Sequence, residues 1–156
     1  MKMTDAGHEV KLLTSKTVTA QAAGTIATPW VDIKQDTEGP FDSLLASASI
    51  GTSTGSPTSQ TLTLKFQDAD DSSGTGSADY KPDGTNVASS VAGISGVKAS
   101  SDNTCCQLSA NASHARRYVR AVATLAFPDG TSPTQQVAVH LHAAGGKHLP
   151  VTQLNA

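Results

Sequence analysis

The sequence predicts an all-β protein, an antiparallel β-sandwich of jelly-roll type with extended termini. Apolar and polar residues alternate with a period of two in several segments, which is the pattern of strands that bury one face. Turn-forming Gly, Pro, Ser and Asp separate these segments, and no helical segments are interleaved with them. Only 15% of the residues are charged and 37% are hydrophobic. This composition excludes long helices rich in Leu, Glu and Lys.

Four segments alternate clearly enough to predict strands. In residues 61–67, Leu62, Leu64 and Phe66 share the face that we expect to be buried, and Thr, Lys and Gln occupy the other face. The other three segments are residues 43–50, 117–127 and 137–142. Weaker segments are residues 17–20, 30–33, 87–97 and 105–110, so seven or eight strands are expected. The length of 117–127 predicts a strand near the middle of a sheet.

The length of 156 residues fits one domain with one sizeable core. We expect a sandwich over residues 16–142, with an N-terminal arm at 1–15 and a C-terminal tail at 143–156 outside the alternating core. Prolines and a glycine in residues 128–133 predict a loop that joins 117–127 and 135–142 as a hairpin. Residues 68–86 predict a long, exposed polar loop.

The charge and the cysteines limit the partners and the compartment. A net charge of -2 gives no field that would attract nucleic acid or an anionic membrane. Residues 1–16 carry no apolar run of signal-peptide type, and nowhere do eighteen apolar residues stand together. Cys105 and Cys106 are adjacent, so a disulfide between them would be strained and reduced thiols are expected. These features favour a protein made in cytoplasm, with neither nucleic acid nor membrane as partner.

Two clusters have the chemistry of metal ligands. Asp68, Asp70, Asp71 and Asp79 stand in one loop, as Ca²⁺ sites require, but their spacing departs from the EF-hand pattern and favours a solvated acidic loop. His140 and His142 would share a strand face with His148 nearby, but no cysteine or carboxylate stands close in sequence. We therefore expect exposed histidines that titrate between pH 5 and 8, and no bound metal or cofactor.

Catalytic motifs in their required structural context are absent from the sequence. The pattern Gly-x-Ser-x-Gly occurs at 51–55, but no helix is predicted after it, so no nucleophile elbow is expected. The sequence contains no phosphate-binding loop and no dinucleotide fingerprint. Serine, histidine and aspartate are too common here for their co-occurrence to indicate a triad. A non-enzymatic protein is expected.

One concentrated basic patch is formed by Arg116, Arg117 and Arg120. From a strand, Arg116, Tyr118 and Arg120 would point the same way. Arginine and tyrosine are typical anchors of protein interfaces, so these three residues are the candidate interface residues. The alternative is structural: Tyr118 would cover an edge of the core and the arginines would pair with loop carboxylates.

The order of these features resembles the capsid decoration, or cement, proteins of tailed bacteriophages. The resemblance is carried by Ser-Leu-Leu-Ala-Ser-Ala-Ser-Ile at 43–50, Thr-Leu-Thr-Leu-Lys-Phe-Gln-Asp-Ala-Asp-Asp at 61–71 and Arg-Tyr-Val-Arg-Ala-Val-Ala at 117–123. It implies a jelly roll on the outer capsid surface of the virion, where the protein would bind the major capsid protein and itself, as a dimer or trimer, and stabilise the shell.

Two other functions stay open at this point. A tail tube or fibre subunit would have a similar strand-rich composition. A carbohydrate-binding β-sandwich module would need exposed aromatic residues, for which Trp30, Tyr80 and Tyr118 are the candidates.

Overall fold

The structure is a computed structural model that describes residues 10–35, 39–81 and 104–146. Within these residues the chain forms nine strands and no helix. They are β1 (Val10–Gln21), β2 (Gly24–Ala27), β3 (Val31–Asp32), β4 (Ser43–Thr54), β5 (Thr61–Ala69), β6 (Ala78–Asp79), β7 (Thr104–Asn111), β8 (Tyr118–Ala126) and β9 (Thr134–Ala144). Accordingly, no long apolar helix that could cross a bilayer occurs in this part of the chain.

The strands form two antiparallel sheets. Sheet A has the order β1-β9-β4-β7, and sheet B has the order β2-β8-β5-β6 with β3 also paired to β8. Pro29 lies between β2 and β3, where it has no N–H to donate to the ladder. Thr28 bridges the gap, because its N–H donates to the Ala121 carbonyl at 3.0 Å and its hydroxyl accepts from the Ala121 N–H at 3.1 Å.

The core lies between the two sheets, and the alternation predicted it. Leu62, Leu64 and Phe66 of β5 are fully buried, whereas the residues between them are partly exposed. The opposing and neighbouring strands supply most of the other core residues: Leu44, Ala46, Ala48 and Ile50; Val119, Ala121, Ala123 and Leu125; Val137, Val139, Leu141 and Ala143. Each buried Leu, Val or Phe contributes about 1.5–3 kcal/mol, so the pattern fixes the inward face of each strand.

The strand pairs are nested along the chain. β1 pairs with β9, β2 with β8, β4 with β7, and β5 with β6. The β4/β9 and β5/β8 pairings then join these ribbons into the two sheets. The antiparallel sandwich is confirmed, and so is the central position of residues 117–127, since β8 lies between β2 and β5.

The predicted hairpin of residues 117–127 and 135–142 is wrong. β8 belongs to sheet B and β9 to sheet A, so the loop between them crosses from one sheet to the other. This loop is tied to the β4/β5 loop, which crosses at the same end: the Thr131 N–H donates to the Gly55 carbonyl at 2.9 Å, and the Thr58 N–H donates to Asp129 at 2.8 Å. Alternation specifies the buried face of a strand but not its partner.

The strands also extend beyond the predicted limits of the domain. β1 begins at Val10, inside the segment expected to be an arm, and β9 continues to Ala144, inside the expected tail. The register of β1 shifts between Leu12 and Thr14, which interrupts the alternation and conceals the strand in the sequence. β2 and β6 are short and were not predicted, and the predicted strand at 87–97 lies outside the described residues.

Candidate functional site

The three candidate interface residues lie at the start of β8. Val119 and Ala121 point into the core, so Tyr118 and Arg120 point outward from sheet B, and Arg116 precedes the strand. In the register of the sheet, Arg120 lies opposite Gln67 of β5. The structure therefore brings Tyr118 and Arg120 to one face, as predicted, while Arg116 has a different environment.

Arg116 anchors the loop after β5. Its Nη2 donates to the Asp68 carboxylate at 2.9 Å and to the Asp68 carbonyl at 2.7 Å, and its Nη1 donates to the Gly76 carbonyl at 2.7 Å and to Asp70 at 3.2 Å. The bonds to Asp68 are the main reason why the pKa of Arg116 is raised. Arg116 thus follows the alternative interpretation, in which an arginine pairs with loop carboxylates.

Arg117 and Tyr118 form the next contact along the strand. The Arg117 Nε donates to Asp32 at 2.9 Å, and its Nη2 lies 2.8 Å from the same carboxylate oxygen. The Arg117 guanidinium also lies 5.9 Å from the centre of the Tyr118 ring. Tyr118 is partly exposed, so it remains part of the outer surface of sheet B.

Arg120 is held between an amide and an indole. Its Nε and Nη2 donate to the Gln67 Oε1 at 3.0 and 2.7 Å. Its guanidinium carbon lies 4.3 Å from the centre of the Trp30 ring, within the range of a cation–π contact. Gly74 packs against the edge of this indole, where an added Cβ would lie 2.6 Å from the indole nitrogen. We call Trp30 and Arg120 together the Trp30/Arg120 site.

A polar chain continues from this site along sheet B. The Gln67 Nε2 donates to Asp79 at 2.9 Å, and Asp79 forms an ion pair of 2.8 Å with Lys65. Partial burial would raise the pKa of Asp79, but the hydrogen bonds from Lys65 and Gln67 and the positive charge of Lys65 lower it overall. Lys65 and Asp79 therefore neutralise each other, and Gln67 has a fixed orientation.

The expected solvated acidic loop has two kinds of aspartate. Asp68 is buried and bonded to Arg116, so the structure does not leave it solvated. Asp70 is exposed, and Asp71 accepts hydrogen bonds from Ser73 and Thr75, which lower its pKa. These bonds close a turn of the Asx type.

The histidines lie side by side on the outer face of sheet A. The rings of His140 and His142 are 6.3 Å apart, and both residues are half-buried rather than fully exposed. Burial lowers the pKa of His142, and the neighbouring His140 lowers it further. His148 lies outside the described residues. Across residues 10–35, 39–81 and 104–146, no three His, Cys, Asp or Glu side chains cluster so that they could hold a metal ion.

The outer face of sheet A, including these two histidines, presents rows of residues without an aspartate, glutamate, lysine or arginine. Four rows of paired residues cross all four strands on the side opposite the core. They are Val10, Ala144, Ser43 and Asn111; Leu12, His142, Leu45 and Ser109; Ser15, His140, Ser47 and Gln107; and Thr17, Ala138, Ser49 and Cys105. None of these residues is Asp, Glu, Lys or Arg. We call this surface the neutral face. A shallow groove of about 470 Å³ lies along its last row.

The two cysteines are free thiols on opposite sides of β7. Cys105 is exposed in the groove of the neutral face, and Cys106 is buried. Burial raises the pKa of the Cys106 thiol, and the adjacent Cys105 raises it further. Successive strand residues point to opposite faces, which accounts for this separation.

The aromatic residues named for a carbohydrate platform are largely engaged. Tyr80 is 2% exposed, and its hydroxyl donates to the Asn111 carbonyl at 2.6 Å. It is therefore unavailable to a sugar. One face of the Trp30 ring is covered by Arg120. Trp30 and Tyr118 are both partly exposed.

The sequence did not indicate how Trp30, Gln67 and Gly74 would combine with Arg120. These residues come from the β2/β3 segment, β5, the following loop and β8, and only the sheet register brings them together. No local pattern in the sequence reports such a contact.

Comparison of the chain with protein-family models and with curated proteins found no match in either case.

Proposed function

We propose that this protein is a non-enzymatic structural component of a virion, which binds the outside of a tailed-phage capsid and stabilises the shell. The nested strand pairing is the observation that supports this proposal most strongly. When the first half of a chain pairs with the second half and the resulting ribbon wraps into two sheets, the fold is a jelly roll, an architecture that recurs in viral capsid proteins. The strand order of the two sheets supports a jelly-roll interpretation of the sandwich, in which β2 and β3 count as one interrupted strand.

The segments that carry the resemblance to decoration proteins are the central strands of this arrangement. Residues 43–50 belong to β4, residues 61–69 to β5 and residues 118–123 to β8. The resemblance to decoration proteins therefore lies in the central strands of the sandwich. The proposal infers the function of decoration proteins from this similarity of strands.

The neutral face supports self-association within this role. Depletion of charge is typical of the cores of protein interfaces, whereas ordinary surfaces are about a quarter or more charged. The four rows cover residues 43–49 of β4 and the four strands of sheet A, so the neutral face measures roughly 23 by 19 Å, about 440 Å². This is about half of the ~800 Å² that each partner contributes to a standard interface, so a contact of standard size would extend beyond the four rows. We propose a second copy as the occupant, because two uncharged surfaces meet without repulsion.

The experiment is a binding assay with undecorated shells assembled from the cognate tailed-phage major capsid protein. The protein is expected to bind saturably at regular lattice sites and to raise the temperature at which the shells disrupt. Shells whose sites are already filled serve as the control and are expected to take up no more protein. Uptake that never saturates, or an unchanged disruption temperature, would contradict the proposal.

A further inference from the structure

Arg120 differs from the other two arginines of the chain in its partners. Arg116 contacts Asp68 and Asp70, and Arg117 contacts Asp32. Within the described residues, the Arg120 guanidinium meets an amide oxygen and an aromatic ring but no carboxylate. Among the residues that the structure describes, no acidic side chain compensates the positive charge of Arg120, in contrast to Arg116 and Arg117.

The guanidinium is also held in place before any partner arrives. Its Nε and Nη2 donate to the same oxygen of Gln67, and Gln67 is itself fixed by Asp79. Trp30 covers the flat side of the group at 4.3 Å, and Gly74 supports Trp30 from the loop. A side chain ordered in this way loses little conformational entropy when it binds.

The geometry leaves hydrogen-bond donors for a ligand. A guanidinium has five N–H groups, and Arg120 directs one from Nε and one from Nη2 to Gln67. Three remain on a side chain that is partly exposed. A carboxylate is the group that best matches such a planar cationic donor, because the bonds are charge-assisted and two of them can form in parallel.

We propose that the Trp30/Arg120 site binds an aspartate or glutamate side chain of the protein on which this chain docks. The inference rests on the proposed function and gives the chemistry of the partner at this contact. Tryptophan and arginine are the residue types most enriched at energetic hot spots, where an apolar wall beside a charged group excludes water. Lys65 and Asp79 neutralise each other, so this nearby ion pair adds no net negative charge that would repel a carboxylate.

The test uses Trp30 as the reporter, since it is the single tryptophan of the chain. A blocked peptide with two glutamates is titrated into the full-length protein, and tryptophan fluorescence is recorded. We expect a saturable change with this peptide and none with its glutamine counterpart. Arg120→Gln should weaken binding about tenfold or more. Arg117→Gln, the matched control at a paired arginine, should bind within about twofold of the wild type.

The same variants are then tested on undecorated shells. If the wild type decorates shells but gives no response to the glutamate peptide, or Arg120→Gln binds the peptide as tightly as the wild type, the carboxylate site is wrong and the proposed function stands. If the peptide binds through Arg120 but no shell uptake occurs, the proposed function fails and the site stands. Arg120→Lys keeps the charge without the planar donors, and it is expected to bind the peptide more weakly than the wild type. Circular dichroism confirms that each variant is folded.

Discussion

Arg116 and Arg120 lie four residues apart and carry the same group, but their surroundings give them different roles. The Asp68 side chain that Arg116 neutralises is only 10% exposed, so that carboxylate depends on its partner. Arg120 faces an uncharged amide and remains partly exposed. Arg116 therefore acts on the stability of the fold, and Arg120 is the residue available for recognition.

Substitution of Arg116 tests this division. Arg116→Ala removes the cation from a buried carboxylate and also the bonds to the loop carbonyls of Asp68 and Gly76. We expect the free energy of unfolding to fall by about 1–3 kcal/mol, measured by urea denaturation.

The neighbouring pair provides the control for Arg116→Ala. The Arg117 side chain is 56% exposed, so Arg117→Ala should reduce the free energy of unfolding by about 1 kcal/mol or less. Equal losses for the two variants would show that burial of Asp68 does not govern the effect.

The sequence predicted residue environments only where they depend on local spacing. The outward direction of Tyr118 and Arg120 follows from alternation, and the structure agrees. The contact between Trp30 and Arg120 depends on the pairing of β3 with β8 and on a loop glycine at φ +89°, which fits against the indole. Neither the strand pairing nor the glycine contact produces a residue pattern of fixed spacing in the sequence.

At the scale of strands, alternation predicted which residues are buried but not which strands pair. β8 and β9 both alternate and are joined by a turn-rich segment, so a hairpin was expected, although each strand has its partners in a different sheet. A strand face is set by its own residues, whereas a pairing depends on every other strand competing for that edge. The same limit explains why a shifted register concealed the start of β1.

The proposed self-association through the neutral face of sheet A can be tested with an added charge. Ser47 lies near the middle of this face, beside His140 and Gln107. Ser47→Glu would place an unpaired charge inside the proposed contact between two copies, and such a charge costs several kcal/mol. We expect association to weaken about a hundredfold or more, measured by sedimentation equilibrium.

A variant of sheet B controls for the added charge. Thr63 points outward from β5, opposite Thr124, and is partly exposed like Ser47. Thr63→Glu is expected to leave the oligomeric state unchanged. A wild type that stays monomeric at high concentration, or a Ser47→Glu variant with the wild-type mass, would contradict self-association through the neutral face.

At the scale of the molecule, charge is divided between the two sheets. The outer face of sheet B carries Lys65, Asp79 and Arg120, whereas the rows of the neutral face on sheet A carry no acidic or strongly basic residue. We propose that one side joins copies of the chain and the other contacts the shell. Contacts that are weak individually still stabilise a shell when they are linked and repeated over many sites, because each binds only the assembled state.

The central claim concerns where the protein resides, and copy number tests it most directly. We would measure the molar ratio of this chain to the major capsid protein in purified particles by quantitative mass spectrometry. The decoration role predicts a ratio near one or a simple fraction of it, because the lattice fixes the number of sites. A ratio of a few per cent would instead indicate a tail component, and absence of the chain from particles would contradict a virion role altogether.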